Sequence, residues 1–169
     1  MVENNGVDIC SLTPIDSIRG EDEEETSQLH NLYDKAEKFV TGFKWCKKIS
    51  CAYLGYGLGD ILGVFLFEIE PSLPDVDACL WVIVGDIPSA YLVTDEAKNP
   101  ADALKIYTKL FREWITAVRA GKSVKKLIPA NAAPTEANAA LLESRLDFLE
   151  RNILPQVMLV QSSRGPRCE

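Results

Sequence analysis

Four apolar segments of strand length follow one another in the middle of the chain, and the short breaks between them constrain the fold most strongly. The segments are Lys44–Leu58, Ile61–Glu70, Ala78–Val84 and Ser89–Thr94. Parallel strands need crossovers of about a dozen residues or more, so the short breaks predict an antiparallel meander. The two central segments are apolar on both faces, which predicts a sheet that is at least partly covered on both sides.

Helical patterns flank these segments. The predicted helices run over Ser27–Thr41, from Pro100 to Gly121 and from Glu136 to about Asn152. Asn99 and Thr135 are suitable N-caps for the second and third. Pro155 is expected to end the last helix, which leaves Gln156–Gln161 as an edge strand or an extended packing segment. The sequence therefore predicts an α+β fold with an N-terminal helix, a four-stranded, mainly antiparallel sheet and two to three C-terminal helices.

The N-terminal segment carries the net charge of the chain, which is −7. Residues 1–25 hold eight acidic residues and one basic residue, Arg19, whereas the remaining chain is neutral. The run Glu21–Glu25 repels itself in a compact state, so residues 1–25 are predicted to be disordered or loosely attached. Residues 26–161 are predicted to form a single domain, and residues 162–169 a flexible tail.

Charge is also polarised within the predicted domain. Residues 60–102 contain nine acids and only one base, whereas residues 103–126 contain seven bases and only one acid. Such blocks steer partners or neutralise each other across the fold. Nucleic-acid binding is not expected, because it needs an uncompensated basic surface. No apolar run approaches the roughly 20 residues of a membrane span. Because Met1–Gly20 has no apolar block, we expect a cytoplasmic protein without a membrane anchor.

Few side chains offer catalytic or metal chemistry. His30 is the only histidine, and no neighbouring pattern supports a nucleophile pair with it, so a solvated or capping role is expected. The five cysteines contain no C-x-x-C pair and are predicted to be small buried or surface thiols in a reducing compartment. We therefore predict no enzyme activity, no cofactor and no metal site.

Two short motifs match functional patterns only in part. In Gly55–Asp60, the G-x-G-x-G spacing is followed by a strand, where a phosphate loop needs a helix N-terminus. Ser123–Lys126 matches S-x-x-K, but the other elements of serine acyl enzymes are missing. The glycines at 55, 57, 59 and 63 share parity. They are predicted to leave a bare patch on the sheet where a helix or partner approaches closely, or to let the strand bend.

Two groups of charged residues are the candidate partner-binding residues. The acidic group is Glu68, Glu70, Asp75, Asp77 and Asp86, and the basic group is Lys105, Lys109, Arg112 and Arg119. The acids bind a divalent cation, act as acid and base, or simply solubilise a sheet edge. The bases recur at helical spacing. They either contact an acidic partner or phosphates, or form the solvent-exposed face of their helix.

The second half of the chain carries a resemblance to known proteins. The segment LWVIVGDIPSAYLV at residues 80–93, the helix that holds Trp114, and Pro129 and Pro134 resemble a group of uncharacterised small bacterial proteins. The resemblance runs from Leu80 to about Pro155 and implies no activity. By size and acidity, the chain also resembles immunity proteins of bacterial toxin systems.

The second resemblance implies a non-catalytic protein-binding domain. Most concretely, an immunity protein neutralises a bacterial toxin or effector, with the acidic N-terminal segment or the acidic block 60–102 facing a basic partner. One alternative is a dimeric secretion chaperone, and a second is a hydrolase or metal-dependent enzyme that uses Glu68, Glu70 and Asp86. The chain is expected to be a monomer or a homodimer.

Overall fold

A five-stranded antiparallel sheet forms the centre of the computed structural model, which describes residues 5–163. Its strands, in spatial order, are β1 Thr13–Pro14, β2 Cys46–Leu58, β3 Leu62–Pro71, β4 Cys79–Gly85 and β5 Ala90–Val93. The α+β class, the antiparallel meander and the four predicted strands are confirmed. The sheet has one strand more than the prediction, because β1 pairs with the outer edge of β2.

Four α-helices accompany these strands in the described residues. They are α1 Glu23–Thr41, α2 Pro100–Arg119, α3 Glu136–Phe148 and α4 Leu154–Ser163, and a π-helical turn at Leu149–Ile153 joins the last two. The N-caps Asp22, Asn99 and Thr135 each accept a hydrogen bond from the backbone N–H three residues later. Helix α1 begins before the predicted Ser27, because Asp22 caps it and the glutamates of its first turn favour the helix dipole.

The sheet separates two hydrophobic cores. On β3, Leu62, Val64 and Leu66 face α2, α3 and α4, whereas Phe65, Phe67 and Ile69 face α1. Strand β4 alternates in the same way, and all of its residues are buried. The prediction that both faces of the sheet are covered is therefore confirmed.

The N-terminal segment wraps around the β2 edge of the sheet. Val7 and Leu12 are buried in the core on the α2 side, and Ile18 is fully buried on the α1 side, with β1 between them. Residues 5–22 are therefore attached more closely than the sequence predicts, because their apolar side chains enter both cores while their acids stay at the surface. Residues 1–4 lie outside the described residues.

Helix α3, the π turn and α4 follow one another without a break and together form the C-terminal helix, which does not end at Pro155, contrary to the prediction. The π turn at Leu149–Ile153 has more residues per turn than an α-helix, and α4 begins directly after it. Pro155 thus lies in the first turn of α4, directly after the π turn, where a proline is tolerated. Gln156–Gln161 is helical rather than extended. The predicted tail 162–169 begins within α4, and residues 164–169 lie outside the described residues.

A β-bulge overturns the predicted glycine patch on one face of the sheet. The register between β2 and β3 shifts at Leu54–Tyr56, so Gly55 and Gly57 meet neighbours on opposite faces. A Cβ on Gly55 would lie 2.7 Å from Cγ of Pro100, and one on Gly57 would lie 2.5 Å from Cδ2 of Leu29. The predicted close approach of a helix is confirmed, with α2 on one face and α1 on the other.

Candidate functional site

The five predicted acidic residues divide between the two ends of the sheet. One end holds Glu68, Glu70, Asp75 and Asp77, at the end of β3 and in the following loop. Asp86 lies at the other end, where its backbone N–H donates to the carbonyl oxygen of Ile61 at 3.0 Å. Leu62 of β3 pairs with Gly85 and Glu68 with Cys79, so about 20 Å of strand separates the two ends. The three carboxylates of the enzyme alternative therefore do not form one site.

Glu68 lies between two cysteines, because it pairs with Cys51 on β2 and with Cys79 on β4. Burial, together with the charges of Glu68 and Asp77, raises the pKa of the Cys79 thiol to about 11. A thiol with such a pKa stays protonated at neutral pH and is not activated as a nucleophile. The two cysteines lie two strand spacings apart, about 9.5 Å, which is too far for a disulfide.

The other predicted metal and thiol residues are scattered. Residues 5–163 contain no group of three or more His, Cys, Asp or Glu side chains placed to hold a metal ion. His30 is half-buried on α1. Cys46, Cys51 and Cys79 are free thiols, as expected, whereas Cys10 is disulfide-bonded and differs from the prediction.

The predicted cationic residues of α2 divide into paired arginines and unpaired lysines. The guanidinium of Arg112 lies 2.8 Å from a carboxylate oxygen of Asp147 and 2.9 Å from one of Glu150. Hydrogen bonding to both carboxylates raises the pKa of Arg112. Arg119 forms ion pairs with two glutamates of α3, Glu136 and Glu143. Both arginines therefore fasten α2 to the C-terminal helix, and their charges are matched within the fold.

Lys105 and Lys109 lie on an open groove along α2, which we call the α2 groove. It has a volume of about 770 Å³. Its lining includes Lys105, Thr108, Lys109, Arg112, Lys122 and Leu127. Neither lysine on α2 forms an ion pair with a described residue. The groove therefore offers a cationic rim over a partly apolar floor, which suits an acidic ligand.

A second charged surface lies where the first turn of α1 meets the β2–β3 turn. We call it the acidic corner, and its members are Glu21, Asp22, Glu23, Glu24, Glu25 and Asp60. The carboxylate of Glu25 accepts hydrogen bonds from the backbone N–H groups of Glu21, at 2.6 Å, and Gly59, at 3.3 Å. These bonds hold the run against the turn that contains Asp60. None of the six acids forms an ion pair with a described residue.

A cleft of about 460 Å³ opens beside the acidic corner. Its apolar walls are Leu29, Leu54, Leu58, Val160 and the ring of Tyr56, and Glu21 and Glu25 line it as well. Burial and the charge of Glu25 raise the pKa of Tyr56, which stays neutral. Arg19 is the one cation among the lining residues. Carboxylates beside apolar walls suit a lysine or arginine side chain, whose aliphatic stem packs while its charge is paired.

The candidate residues selected from the sequence do not include this corner. The sequence-based interpretation expects the acidic N-terminal segment or the block 60–102 to face a basic partner, but it places Glu21–Glu25 in a loosely attached segment and does not name Asp60 as a site residue. The missed signal is the sequence Asp22-Glu23-Glu24-Glu25. An N-cap residue followed three positions later by glutamate is typical of a capping box and marks the start of a helix.

The chain matches no family model, and no solved structure matches it either. Among the residues that the structure describes, no helix is long and apolar enough to cross a membrane. The geometry and charge of the described residues are therefore what bears on function.

Proposed function

We propose that the protein is a non-catalytic protein-binding domain whose acidic corner contacts a basic surface of its partner. Most concretely, it is an immunity protein that neutralises a bacterial toxin or effector by direct binding. The observation that carries this proposal is the unpaired state of the six acids beside an apolar cleft.

The first argument concerns the position of the charge. On α2, the charge of Arg112 is matched by Asp147 and Glu150 within the fold. At the acidic corner, by contrast, Glu21, Glu23 and Glu24 are exposed and no described cation binds them. A basic partner supplies the missing charge and speeds its own encounter through electrostatic steering.

The second argument concerns the cleft. Exposed charges alone mainly influence the rate of association, whereas desolvated anchors provide most of the affinity. The cleft beside the corner offers such an anchor point, because a side chain with an aliphatic stem can lie between Leu29 and Leu58. The expected partner thus presents a lysine or arginine within a wider basic patch.

Affinity capture from the native cell, with the full chain as bait, tests the proposal. A corner variant, Glu21→Gln, Glu23→Gln, Glu24→Gln and Asp60→Asn, removes four charges and keeps Asp22 and Glu25, which make hydrogen bonds within the fold. We expect the wild-type chain to retain one basic, stoichiometric partner in moderate salt. The corner variant should bind that partner about tenfold more weakly, with most of the loss in the association rate.

A matched control removes the same number of charges at the other end of the sheet. Its substitutions are Glu68→Gln, Glu70→Gln, Asp75→Asn and Asp77→Asn. This control should retain the partner as the wild-type chain does. Equal capture by the wild-type chain and the corner variant would contradict the assignment of the corner. An empty capture with the wild-type chain would contradict the binding function itself.

A further inference from the structure

The α2 groove is an elongated surface with a floor of its own. Its lining extends along the helix from Lys105 to Ala120, a distance of about 22 Å at about 1.5 Å per residue. Thr108 and Ala117 are buried in the floor, and Leu127, in the segment after the helix, is half-buried and also lines the groove. The groove is therefore much longer than a single small anion, and part of its floor is apolar.

Three lysines place positive charge at both ends of the α2 groove. Lys105 and Lys109 lie one helical turn apart at one end, and Lys122 lies at the other, just beyond α2. All three are exposed, and none forms an ion pair with a described residue. Arg112 also lines the groove, but the fold already matches its charge. Among the described residues of the lining, Glu113 is the one acid, so the unmatched charge of the groove is positive overall.

We propose that the α2 groove binds an acidic amphipathic helix of a partner protein. The acids of that helix lie near its two ends, where they contact Lys105 and Lys109 at one end of the groove and Lys122 at the other. Its apolar side chains lie over the floor between these ends, as in other complexes in which a helix occupies a groove. It presents no acid to Glu113, because like charges at close range are unfavourable.

Charge and length together favour this occupant. An acidic segment supplies the counter-charge that the three lysines do not find among the described residues. A helix of about 15 residues spans the groove, whereas a single phosphate or carboxylate reaches only one end of it. Nucleic acid carries charge along its whole length and needs an uncompensated basic surface. Here Glu113 lies between the two groups of lysines, on a chain whose net charge is −7.

The α2 groove and the acidic corner belong to different elements. Helix α2 covers one side of the sheet, and α1, which carries the corner, covers the other. A helix in the groove therefore leaves the corner exposed. The groove adds a second binding surface to the one in the proposed function, for an occupant of opposite charge, and does not depend on it.

Fluorescence anisotropy of the full chain with a fluorescein-labelled synthetic peptide tests this inference. The peptide is a helix of about 16 residues, with glutamates in its first and last turns and leucines three and four residues apart between them. We expect a dissociation constant in the micromolar range, because the contact is small and partly polar. The groove variant, Lys105→Gln with Lys109→Gln and Lys122→Gln, should bind the peptide about tenfold more weakly or less.

A matched control removes the same number of positive charges outside the groove. Its substitutions are Lys38→Gln, Lys44→Gln and Lys48→Gln. These lysines are also exposed, and none forms an ion pair with a described residue. The control variant should bind the peptide as the wild-type chain does. Equal losses in the two triple variants would overturn the inference, because they would mean that the peptide responds to net charge alone.

Thr116→Trp separates occupation of the groove from general attraction between charges. Thr116 is exposed and lines the groove between Lys109 and Lys122, so an indole there fills space without changing the charge. It should weaken binding of the peptide by about tenfold, because the apolar side chains of the peptide lose their contact with the floor. Unchanged binding by Thr116→Trp would overturn the inference. Circular dichroism should show the helical content of the wild-type chain in every variant.

Two further probes separate the proposed occupant from other acidic ligands. A peptide of the same composition, with its leucines spread around the helix, should bind about tenfold more weakly than the amphipathic one. Equal binding of the two peptides, or no binding of either, would overturn the inference. So would tighter binding of a single-stranded RNA of equal charge, which would assign the groove to nucleic acid. The corner variant should bind the amphipathic peptide no more weakly than the wild-type chain does, which keeps this result separate from the proposed function.

Discussion

Along α2, each of two arginines faces two carboxylates of the C-terminal helix, whereas at the acidic corner six carboxylates lie together without an ion pair. The two regions are about equally rich in charge. They differ in whether the fold itself supplies the counter-charge. Paired charges hold elements of the molecule together, and unpaired charges remain available to something outside it.

Sums of charge along the sequence do not show whether the fold supplies a counter-charge. Residues 103–126 form the most basic stretch of the chain, and residues 1–25 the most acidic. Within the basic stretch, the two arginines are matched, because the acids from Glu136 to Glu150 line up with Arg112 and Arg119 in the folded molecule. The run Glu21–Glu25 has no such counterpart among the described residues. A block of charge thus indicates a partner only when the fold leaves it unpaired.

Removal of Arg112 should have the largest effect on stability. Arg112→Ala leaves Asp147 and Glu150 beside each other without their shared cation. Because the guanidinium is partly exposed, we expect the free energy of unfolding to fall by about 1–2 kcal/mol rather than by the larger cost of breaking a buried pair. Urea denaturation monitored by circular dichroism measures this change.

Lys109→Ala is the matched control for that prediction. Lys109 lies on the same helix and also carries a positive charge, but it forms no ion pair with a described residue. Its removal should change the free energy of unfolding by less than about 0.5 kcal/mol. Equal losses in the two variants would contradict the distinction between paired arginines and unpaired lysines.

Within the acidic corner, one acid should matter for stability more than its neighbours. The side chain of Asp22 accepts a hydrogen bond from the backbone N–H of Glu25 at 2.8 Å and caps α1. Asp22→Ala should therefore cost about 1 kcal/mol. Glu23→Gln removes the same charge from the next residue without removing the cap, and should cost less than about 0.5 kcal/mol. Thermal unfolding compares them, and equal losses would assign the effect to charge rather than to capping.

The sequence predicts those elements whose signals are local. Strands β2, β3, β4 and β5 alternate or are apolar throughout, and turn residues separate them. Asn99 and Thr135 cap α2 and α3 as predicted, because N-capping depends on the residues next to the helix start. Long-range effects decide the rest. Strand β1 has only two residues and forms because β2 offers a free edge beside it.

At two further places the structure differs from the prediction because of features that the local sequence pattern does not show. Pro155 breaks an isolated α-helix, but the π turn before it moves the proline into the first turn of α4. The bulge at Leu54–Tyr56 changes the face on which later residues lie, and parity counted along the sequence cannot include it. The candidate site was harder to predict, because Glu21–Glu25 and Asp60 are distant in sequence. A hydrogen bond from Gly59 to Glu25 brings them together.

The smallest effect that we predict is the pH dependence of the stability that the Arg112–Asp147 ion pair contributes. The hydrogen bond from Arg112 lowers the pKa of Asp147 below its ordinary value, although burial partly opposes the shift. A carboxyl group whose pKa is lower in the folded state stabilises the fold above its unfolded pKa of about 3.9, and this contribution is lost as pH falls through the folded value.

Arg112→Ala lacks the contribution at every pH. The difference in unfolding free energy between wild type and Arg112→Ala should therefore narrow as pH falls from about 5 to below about 3. Urea denaturation across that range measures it, with Lys109→Ala as the variant whose difference from wild type stays constant. A gap for Arg112→Ala that also stays constant would mean that the pair contributes through packing of the arginine stem rather than through charge.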